Sequence, residues 1–176
     1  PMTLTFRGSE IPTLQSLGDA AKFSEQIFAL IESAPLFSRI TRDEAKLLSG
    51  GMRIYRVKAG TPFIAEGDPG DFMTLLLEGE VEVVKHYASL SAKIIATVGR
   101  GKTLGEMSMV DGEPRFATCV ASSETTFAVL TQEDLMRVIE ERPALGAKIL
   151  LQLVVLLNQR LRVASARVVE ALDSGS

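Results

Sequence analysis

The sequence predicts a mainly β domain, an eight-stranded jelly-roll β-barrel, with helices before it and one long helix after it. The region 52–130 holds short apolar runs separated by turn-forming clusters, at a spacing of roughly eight to twelve residues that is typical of sandwiches and barrels. The flanking regions return to a helical period. Of the 176 residues, 46% are hydrophobic, which is enough for a full core.

The N-terminal region divides into two parts. Residues 1–20 show no clear period and are predicted to form a flexible arm, whereas residues 21–50 are predicted to hold helices. Thr41 and Glu44 have the spacing of a capping box, which predicts a helix that the glycines up to Gly51 end.

Residues 51–131 are predicted to form the barrel. From Met52 the apolar residues alternate, and the dense cluster 66–70 is a turn. The run from Phe72 to Leu77 is apolar throughout, which predicts a strand buried on both faces.

The C-terminal part, residues 132–172, is predicted to form a hinge helix and then a long lid or dimerisation helix that begins at Pro143. One apolar stripe along the long helix suffices to pack on the barrel, and a second stripe lies beside it. Because a helix of some thirty residues spans about 45 Å, part of it must project. The second stripe therefore predicts a homodimer through this helix. The residues of this second stripe are Leu150, Leu153, Leu157 and Leu161.

Composition argues against several classes of function. The net charge of −3 is unsuited to non-specific nucleic-acid binding. The single cysteine, Cys119, forms no intrachain disulfide and suits a reducing compartment. The single histidine, His86, argues against a catalytic zinc site and against a hydrolase triad. We predict a protein that is not an enzyme, with no catalytic residue, metal or cofactor.

Targeting signals are not visible in the sequence. Residues 1–18 lack a continuous apolar run, and the longest wholly apolar run near the end, 153–157, is too short to span a bilayer. We expect a soluble, cytoplasmic protein that does not contact a membrane.

Residues 104–118 combine a carboxylate and an arginine with a short turn between them. Glu106 could accept hydrogen bonds from ribose hydroxyls, and Arg115 could clamp a phosphate through two parallel N–H bonds. The turn at 107–110 presents free N–H groups that favour an anion. A simpler interpretation stays open: Glu106 and Arg115 form a surface ion pair, and Gly105 is an ordinary turn residue.

The runs Leu-Gly-Glu-Met-Ser-Met from 104 and Pro-Arg-Phe-Ala-Thr from 114 resemble the phosphate-binding cassette of cyclic nucleotide-binding domains. That family includes the bacterial catabolite activators, the regulatory subunits of protein kinase A and the cyclic-nucleotide-gated channels. Residues 60–81 resemble the turns and strands that precede the cassette, and the resemblance covers roughly residues 34–162. It implies a cyclic nucleotide receptor without enzymatic activity.

The resemblance implies a role for each cassette residue. Glu106 would accept from the ribose 2′-hydroxyl, Arg115 would bind the cyclic phosphate, and Gly105 would permit close approach of the backbone. The N–H groups of Ser108 and Phe116 would complete the phosphate cradle. Met107 belongs to the same turn and is included in the predicted site.

Outside the cassette, the assignments concern the walls and the lid of the pocket. Phe72, Leu75 and Val83 would line the ribose and base, and the Thr118 hydroxyl would reach the base or phosphate. The lid would come from the last helix. Its candidates are Leu156, Leu157 and Arg160, and Arg160 would stack on a purine.

Phe116 departs from the pattern of cyclic-GMP-selective relatives, which commonly place Ser or Thr directly after the arginine. A phenyl ring offers no hydrogen bond to guanine, so the ligand is expected to be cyclic AMP, with cyclic GMP as the alternative. The large ring could also crowd the pocket or suit a cyclic dinucleotide.

The predicted mechanism is a switch. Ligand binding would pull the cassette inward and repack the last helix, through the difference in affinity for two states. A downstream protein of unknown identity would receive the signal. Alternatives are a nucleotide-free dimerising scaffold, a cyclic-dinucleotide sensor and the sensor domain of a truncated transcription regulator. Only residues 173–176 follow the predicted helix, so no helix-turn-helix and no DNA binding are expected of this chain.

Overall fold

The computed structural model describes residues 14–19, 23–33, 39–87 and 91–174. Two antiparallel sheets face each other, and helices cover one of them. The strands are β1 (Gln15–Asp19), β2 (Arg53–Val57), β3 (Pro62–Ile64), β4 (Phe72–Glu78), β5 (Glu80–Tyr87), β6 (Ser91–Gly99), β7 (Thr103–Leu104), β8 (Thr118–Ala121) and β9 (Thr125–Thr131). The helices are α1 (Ser24–Ser33), α2 (Arg42–Gly50), α3 (Glu106–Asp111), α4 (Gln132–Glu141) and α5 (Pro143–Ser174).

The strand order is β1-β2-β9-β4-β7 in one sheet and β3-β8-β5-β6 in the other. The predicted class, mainly β and jelly-roll-like with flanking helices, is confirmed. The described residues hold nine strands in a sandwich of two sheets, and eight of them, β2 to β9, lie within residues 51–131, where the sequence predicted an eight-stranded jelly-roll barrel.

The additional strand is β1, which pairs antiparallel with β2. Residues 15–19 were predicted as part of the flexible arm, and that part of the prediction is wrong. The strand has no apolar alternation, and among its described side chains only Leu17 packs on the core. Its pairing depends on the free edge of β2, which the local sequence does not reveal. Residues 1–13 and 20 lie outside the described residues.

Strand β4 divides the core into two layers. Phe72 and Leu76 pack between the sheets, in a cluster with Phe63 and other residues. Leu75 and its neighbours Met73 and Leu77 pack instead beneath the helices. The prediction that this strand is buried on both faces is confirmed.

The start of α2 confirms the capping box. The Thr41 side chain accepts from the Glu44 backbone N–H, and the Thr41 N–H donates to Glu44 Oε2 at 2.8 Å. Gly51 caps the end of this helix, as the sequence predicted.

Helix α5 has two unlike halves. Leu145, Ile149 and Leu153 are buried in the helix-facing cluster, whereas residues 161–173 are all exposed. Leu153 was predicted to belong to an uncovered stripe and is instead core. The large apolar residues left exposed on α5 are Leu150, Leu151, Val154, Val155, Leu161, Val163, Val168, Val169 and Leu172.

The segment Pro143–Asp173 is long and apolar enough, by length and composition alone, to cross a membrane. Three basic side chains nevertheless tie it to the rest of the domain. Lys148 Nζ lies 2.7 Å from Glu44 Oε1, Arg160 donates to the Thr103 carbonyl at 2.6 Å, and Arg167 donates to a β6 carbonyl at 3.0 Å. These contacts place the helix on the folded domain.

Candidate functional site

Arg115 lies between α3 and β8 and is only 4% exposed. Its Nη1 donates to the carbonyls of Phe72 and Gly105, both at 2.9 Å, and its guanidinium lies 4.3 Å from the centroid of the Phe72 ring. The other terminal nitrogen, Nη2, is buried without a hydrogen-bond partner among the described residues. Burial lowers the pKa of Arg115, and Asp71 and Asp68 counteract that shift. A buried guanidinium with one unpartnered edge is suited to receive an anion.

Two glycines make room for this arginine. A Cβ at Gly70 would lie 2.1 Å from Arg115 Nε, and one at Gly105 would lie 2.6 Å from Arg115 Nη1. Gly105 also has a φ of +83°, which disfavours any other residue. The group that lies close to Gly105 in the structure is the arginine, and the approach of the backbone to a ligand stays a prediction. Gly70 was missed because in the sequence it belongs only to a turn, and the clash involves a residue 45 positions away.

Glu106 is the first residue of α3 and is fully buried, at 0% exposure. Its Oε1 forms an ion pair with Arg160 Nη1 from α5, and its Oε2 has no hydrogen-bond partner among the described residues. The simpler interpretation of the cassette, a surface ion pair between Glu106 and Arg115, is therefore wrong. Burial lowers the pKa of Arg160, whose side chain is 38% exposed.

The backbone around Arg115 is held by the turn that follows β3. Gly67 N–H donates to the Arg115 carbonyl and Arg115 N–H donates to the Asp68 carbonyl, both at 2.8 Å. Because a trans peptide is planar, anchoring the Arg115 carbonyl directs the Phe116 N–H away from Gly67. The Thr118 hydroxyl accepts from the Glu66 N–H at 3.0 Å, so it fastens the same turn.

Phe116 is 55% exposed, and its ring is not packed in the core. Lys85 Nζ lies 4.4 Å from the ring centroid and donates to the Phe116 carbonyl at 2.7 Å. Sequence reasoning did not single out Lys85, because nothing in the pattern of β5 links it to a residue 31 positions away.

The other predicted residues of the turn differ in exposure. Ser108 is buried at 3%, whereas Met107 is exposed. Both belong to α3, so the predicted helical turn between Glu106 and the loop is confirmed.

The predicted walls do not share one face. Val83 packs on the cluster between the sheets that includes Phe72. Leu75 points the other way and is buried beneath the helices. The assignment of Leu75 to the same wall as Phe72 is therefore wrong, because residues separated by an odd number along a strand face opposite sides.

The three lid candidates lie on α5. Leu156 and Leu157 are partly buried and precede Arg160 by four and three residues, which places all three on one helical face. Of the three, only Arg160 makes a polar contact with the cassette, through Glu106, and it also donates to the carbonyl of Thr103, the residue before the cassette.

Comparison with known proteins identifies the chain's relatives. A family model described as "Cyclic nucleotide-binding domain" matches residues 54–142. A crystal structure of a cyclic nucleotide-binding domain from Methylobacillus flagellatus is 38% identical, with a TM-score of 0.87 over 97% of this chain and 96% of that one. The Thermus thermophilus catabolite activator protein is 30% identical, with a TM-score of 0.69 over 77% of this chain and 62% of that one.

Among curated proteins, a cAMP-dependent protein kinase regulatory subunit from Aspergillus niger is 32% identical over 63% of this chain. The Cyclic AMP receptor protein of Thermus thermophilus is 28% identical over 76% of this chain. The matches span 26% and 60% of those two relatives, respectively.

Proposed function

The chain belongs to the cyclic nucleotide-binding domain family, and on that premise we propose that it is a non-enzymatic receptor for a cyclic nucleotide, with cyclic AMP as its ligand. One observation carries the proposal. Arg115 Nη2 and Glu106 Oε2 are both buried and have no hydrogen-bond partner among the described residues. One is a donor that needs an anion, and the other is an acceptor that needs a donor.

A cyclic nucleotide meets both requirements with one molecule. Its phosphate is an anion for Arg115, and its ribose 2′-hydroxyl is a donor for Glu106. Leaving a buried polar group unpaired costs roughly 1–3 kcal/mol, and more for a charged one. Ligand binding would remove that cost at two places, which favours the bound state.

The choice of cyclic AMP has two supports. Phe116 has no hydroxyl with which to bond guanine, in the position after the arginine. Two relatives bear cyclic AMP in their names, the Aspergillus niger kinase subunit and the Thermus thermophilus receptor.

The proposed signal passes through α5. Arg160 occupies one oxygen of the Glu106 carboxylate, which the ribose hydroxyl would also approach. A ligand that hydrogen-bonds to this carboxylate competes with Arg160 and so weakens the contact between α5 and the cassette. The ligand therefore has different affinities for two positions of the helix. The apolar residues exposed on α5 support a homodimer through this helix, because a second copy would cover them.

The decisive test is a calorimetric titration of cyclic AMP, with cyclic GMP and AMP as controls, on the wild type and on Arg115→Ala. Loss of two charge-assisted hydrogen bonds is worth about 2–4 kcal/mol, so the variant should bind about 30- to 1000-fold more weakly. Arg53→Ala, which removes an exposed arginine from β2, should bind like the wild type.

If folded, ligand-free protein gives no heat with any mononucleotide, the receptor function is wrong as stated. Heat on titration with a cyclic dinucleotide but with no mononucleotide would favour a cyclic-dinucleotide sensor. The dimer is tested by measuring the mass of the wild type and of the double variant Leu161→Glu/Val168→Glu by light scattering. Two carboxylates buried in the α5 interface should leave the variant a monomer. Equal masses for the two proteins would contradict the α5 interface.

A further inference from the structure

Lys85 lies where the pairing of two strands ends beside the anion site. Strands β5 and β8 pair from Val81–Ala121 to Val84–Thr118. The chain bends at residues 116 and 117, so the Phe116 carbonyl falls outside this ladder. Lys85 Nζ donates to that carbonyl at 2.7 Å, and a side chain thereby supplies the donor that the strand no longer provides.

The ammonium of Lys85 makes two further contacts. It lies 4.4 Å from the Phe116 ring centroid and 2.5 Å from Glu66 Oε1. Glu66 Oε2 in turn accepts from the His86 N–H at 3.0 Å, and the Glu66 N–H donates to the Thr118 hydroxyl. These bonds form a closed circuit between β5, the turn after β3 and the segment that follows Arg115.

The charged partner of Lys85 is firmly ionised. Hydrogen bonds from Lys85, and then from His86, lower the pKa of Glu66 to about 2. The lysine side chain is 24% exposed, so the pair is partly shielded from water. Lys85 is thereby held over Phe116 instead of extending into solvent.

Planarity of the peptide bond gives these contacts a consequence for the site. The Arg115 carbonyl is anchored by Gly67, and the Phe116 carbonyl is anchored by Lys85. In each trans peptide the following N–H points opposite to the anchored carbonyl. The Phe116 N–H is therefore oriented by the main-chain hydrogen bond from Gly67, and the Ala117 N–H by the hydrogen bond from Lys85.

We propose that Lys85 is a positioning residue for the anion site: it holds the peptide between Phe116 and Ala117, so that the segment after Arg115 keeps the geometry that receives the phosphate of a cyclic nucleotide. This inference rests on the proposed function and adds to it. It assigns a role to a side chain that does not itself need to touch the ligand.

Three variants of the full chain test the inference. Lys85→Met keeps an apolar stem over the ring but loses the donor and the charge, and Lys85→Arg keeps both. Lys93→Met is the matched control, because Lys93 lies opposite Lys85 on β6, is exposed, and carries the same charge. Cyclic AMP affinity is measured by calorimetry, and dissociation by stopped-flow displacement of a fluorescent cyclic AMP analogue.

We expect Lys85→Met to bind about 10- to 100-fold more weakly, the loss of one charge-assisted hydrogen bond, with most of the change in the dissociation rate. Lys85→Arg should stay within about threefold of the wild type and Lys93→Met within about twofold. Equal losses of cyclic AMP affinity in Lys85→Met and Lys93→Met would mean that both lysines act only by long-range attraction of the phosphate. That result would overturn the inference. So would a Lys85→Arg protein that binds as weakly as Lys85→Met.

A second readout needs no ligand. In ¹⁵N–¹H spectra of the free protein, Lys85→Met should shift or broaden the amide signals of residues 116–118, whereas Lys93→Met should leave them in place. Unchanged signals in Lys85→Met would overturn the positioning role. If the wild type binds no cyclic nucleotide, the proposed function fails, and these spectra alone decide the role of Lys85.

Discussion

Arg115 and Arg160 both bring a guanidinium into the site, and the domain holds them in different ways. Arg115 is bonded to two backbone carbonyls, lies in space that two glycines leave open, and has no carboxylate at hydrogen-bond distance among the described residues. Arg160 comes from α5 and is bonded to one carbonyl and to the carboxylate of Glu106.

The difference predicts different roles for the two arginines, with Arg115 as the group that receives the ligand and Arg160 as the group that couples the site to α5. A guanidinium that is fixed by carbonyls keeps its charge available, since carbonyl dipoles do not neutralise it as a carboxylate does. A guanidinium paired with a buried carboxylate depends on that partner, because either charge alone would be costly inside the domain. A ligand is therefore expected to bind Arg115 and to act on α5 through Arg160.

The largest effect should come from closing the space around Arg115. Gly70→Ala places a Cβ 2.1 Å from Arg115 Nε, so the arginine side chain must shift, and we expect it to lose its hydrogen bonds to the two carbonyls. We expect cyclic AMP affinity to fall by about 2–4 kcal/mol, close to the loss in Arg115→Ala. Calorimetry measures this, with Gly50→Ala as the control, because that Cβ would meet nothing within 4 Å. Unchanged affinity in Gly70→Ala would show that Arg115 does not need this position.

Arg160→Met should destabilise the free protein. It leaves the fully buried Glu106 without its partner, and we expect the free energy of unfolding to fall by about 1–3 kcal/mol, allowing for the partial exposure of Arg160. Adding Glu106→Gln should restore much of the loss, because the uncompensated charge is gone. Urea unfolding of the two single variants and the double variant measures the coupling. Strict additivity would contradict an energetic role for this pair.

Arg115→Met should have a smaller effect on the free protein than Arg160→Met. No carboxylate loses its partner. Removing the guanidinium costs its hydrogen bonds to two carbonyls but also removes the cost of burying its charge, so the free energy of unfolding should change by less than about 1 kcal/mol. The same urea experiment measures it. A loss as large as that in Arg160→Met would remove the distinction between the two arginines.

The smallest expected effect concerns pH and the support of the Arg115 segment. The pKa of Glu66 is lowered from 4.5 to about 2, so its contribution to stability is present above about pH 4.5 and is lost as the pH falls toward 2. The difference in unfolding midpoint between wild type and Glu66→Gln should shrink as the pH falls from about 4.5 toward 2. Glu113→Gln, on the exposed loop before Arg115, controls for the loss of one negative charge. A difference in unfolding midpoint at pH 2 as large as that at neutral pH would contradict the pairing of Glu66 with Lys85.

Local chemistry was predictable where its parts lie close in the chain. The capping box at Thr41 and Glu44 needs only a spacing of three, and the cassette brings a carboxylate, a turn and an arginine together within residues 104–118. In both cases the residue types and their spacing are enough to predict the local structure. The homodimer and the ligand remain predictions.

Contacts between distant segments were not predictable. Gly70 has no distinguishing neighbour in the turn, and Lys85 is one of several polar residues at the end of β5. Leu75 was assigned to the wrong layer because β4 is apolar on both faces, and its alternation gives no sign of which face meets the site.

The class of fold, the place of the cassette and the two charges that a cyclic nucleotide would need could all be deduced from the residues, because short-range periodicity and residue chemistry carry that information. Which charge pairs with which depends on the packing of the folded domain. Glu106 meets Arg160 and not Arg115 because α5 folds back over the sheets and brings a residue 54 positions away to the carboxylate. Partners of this kind depend on the packing of whole elements, so no local pattern encodes them.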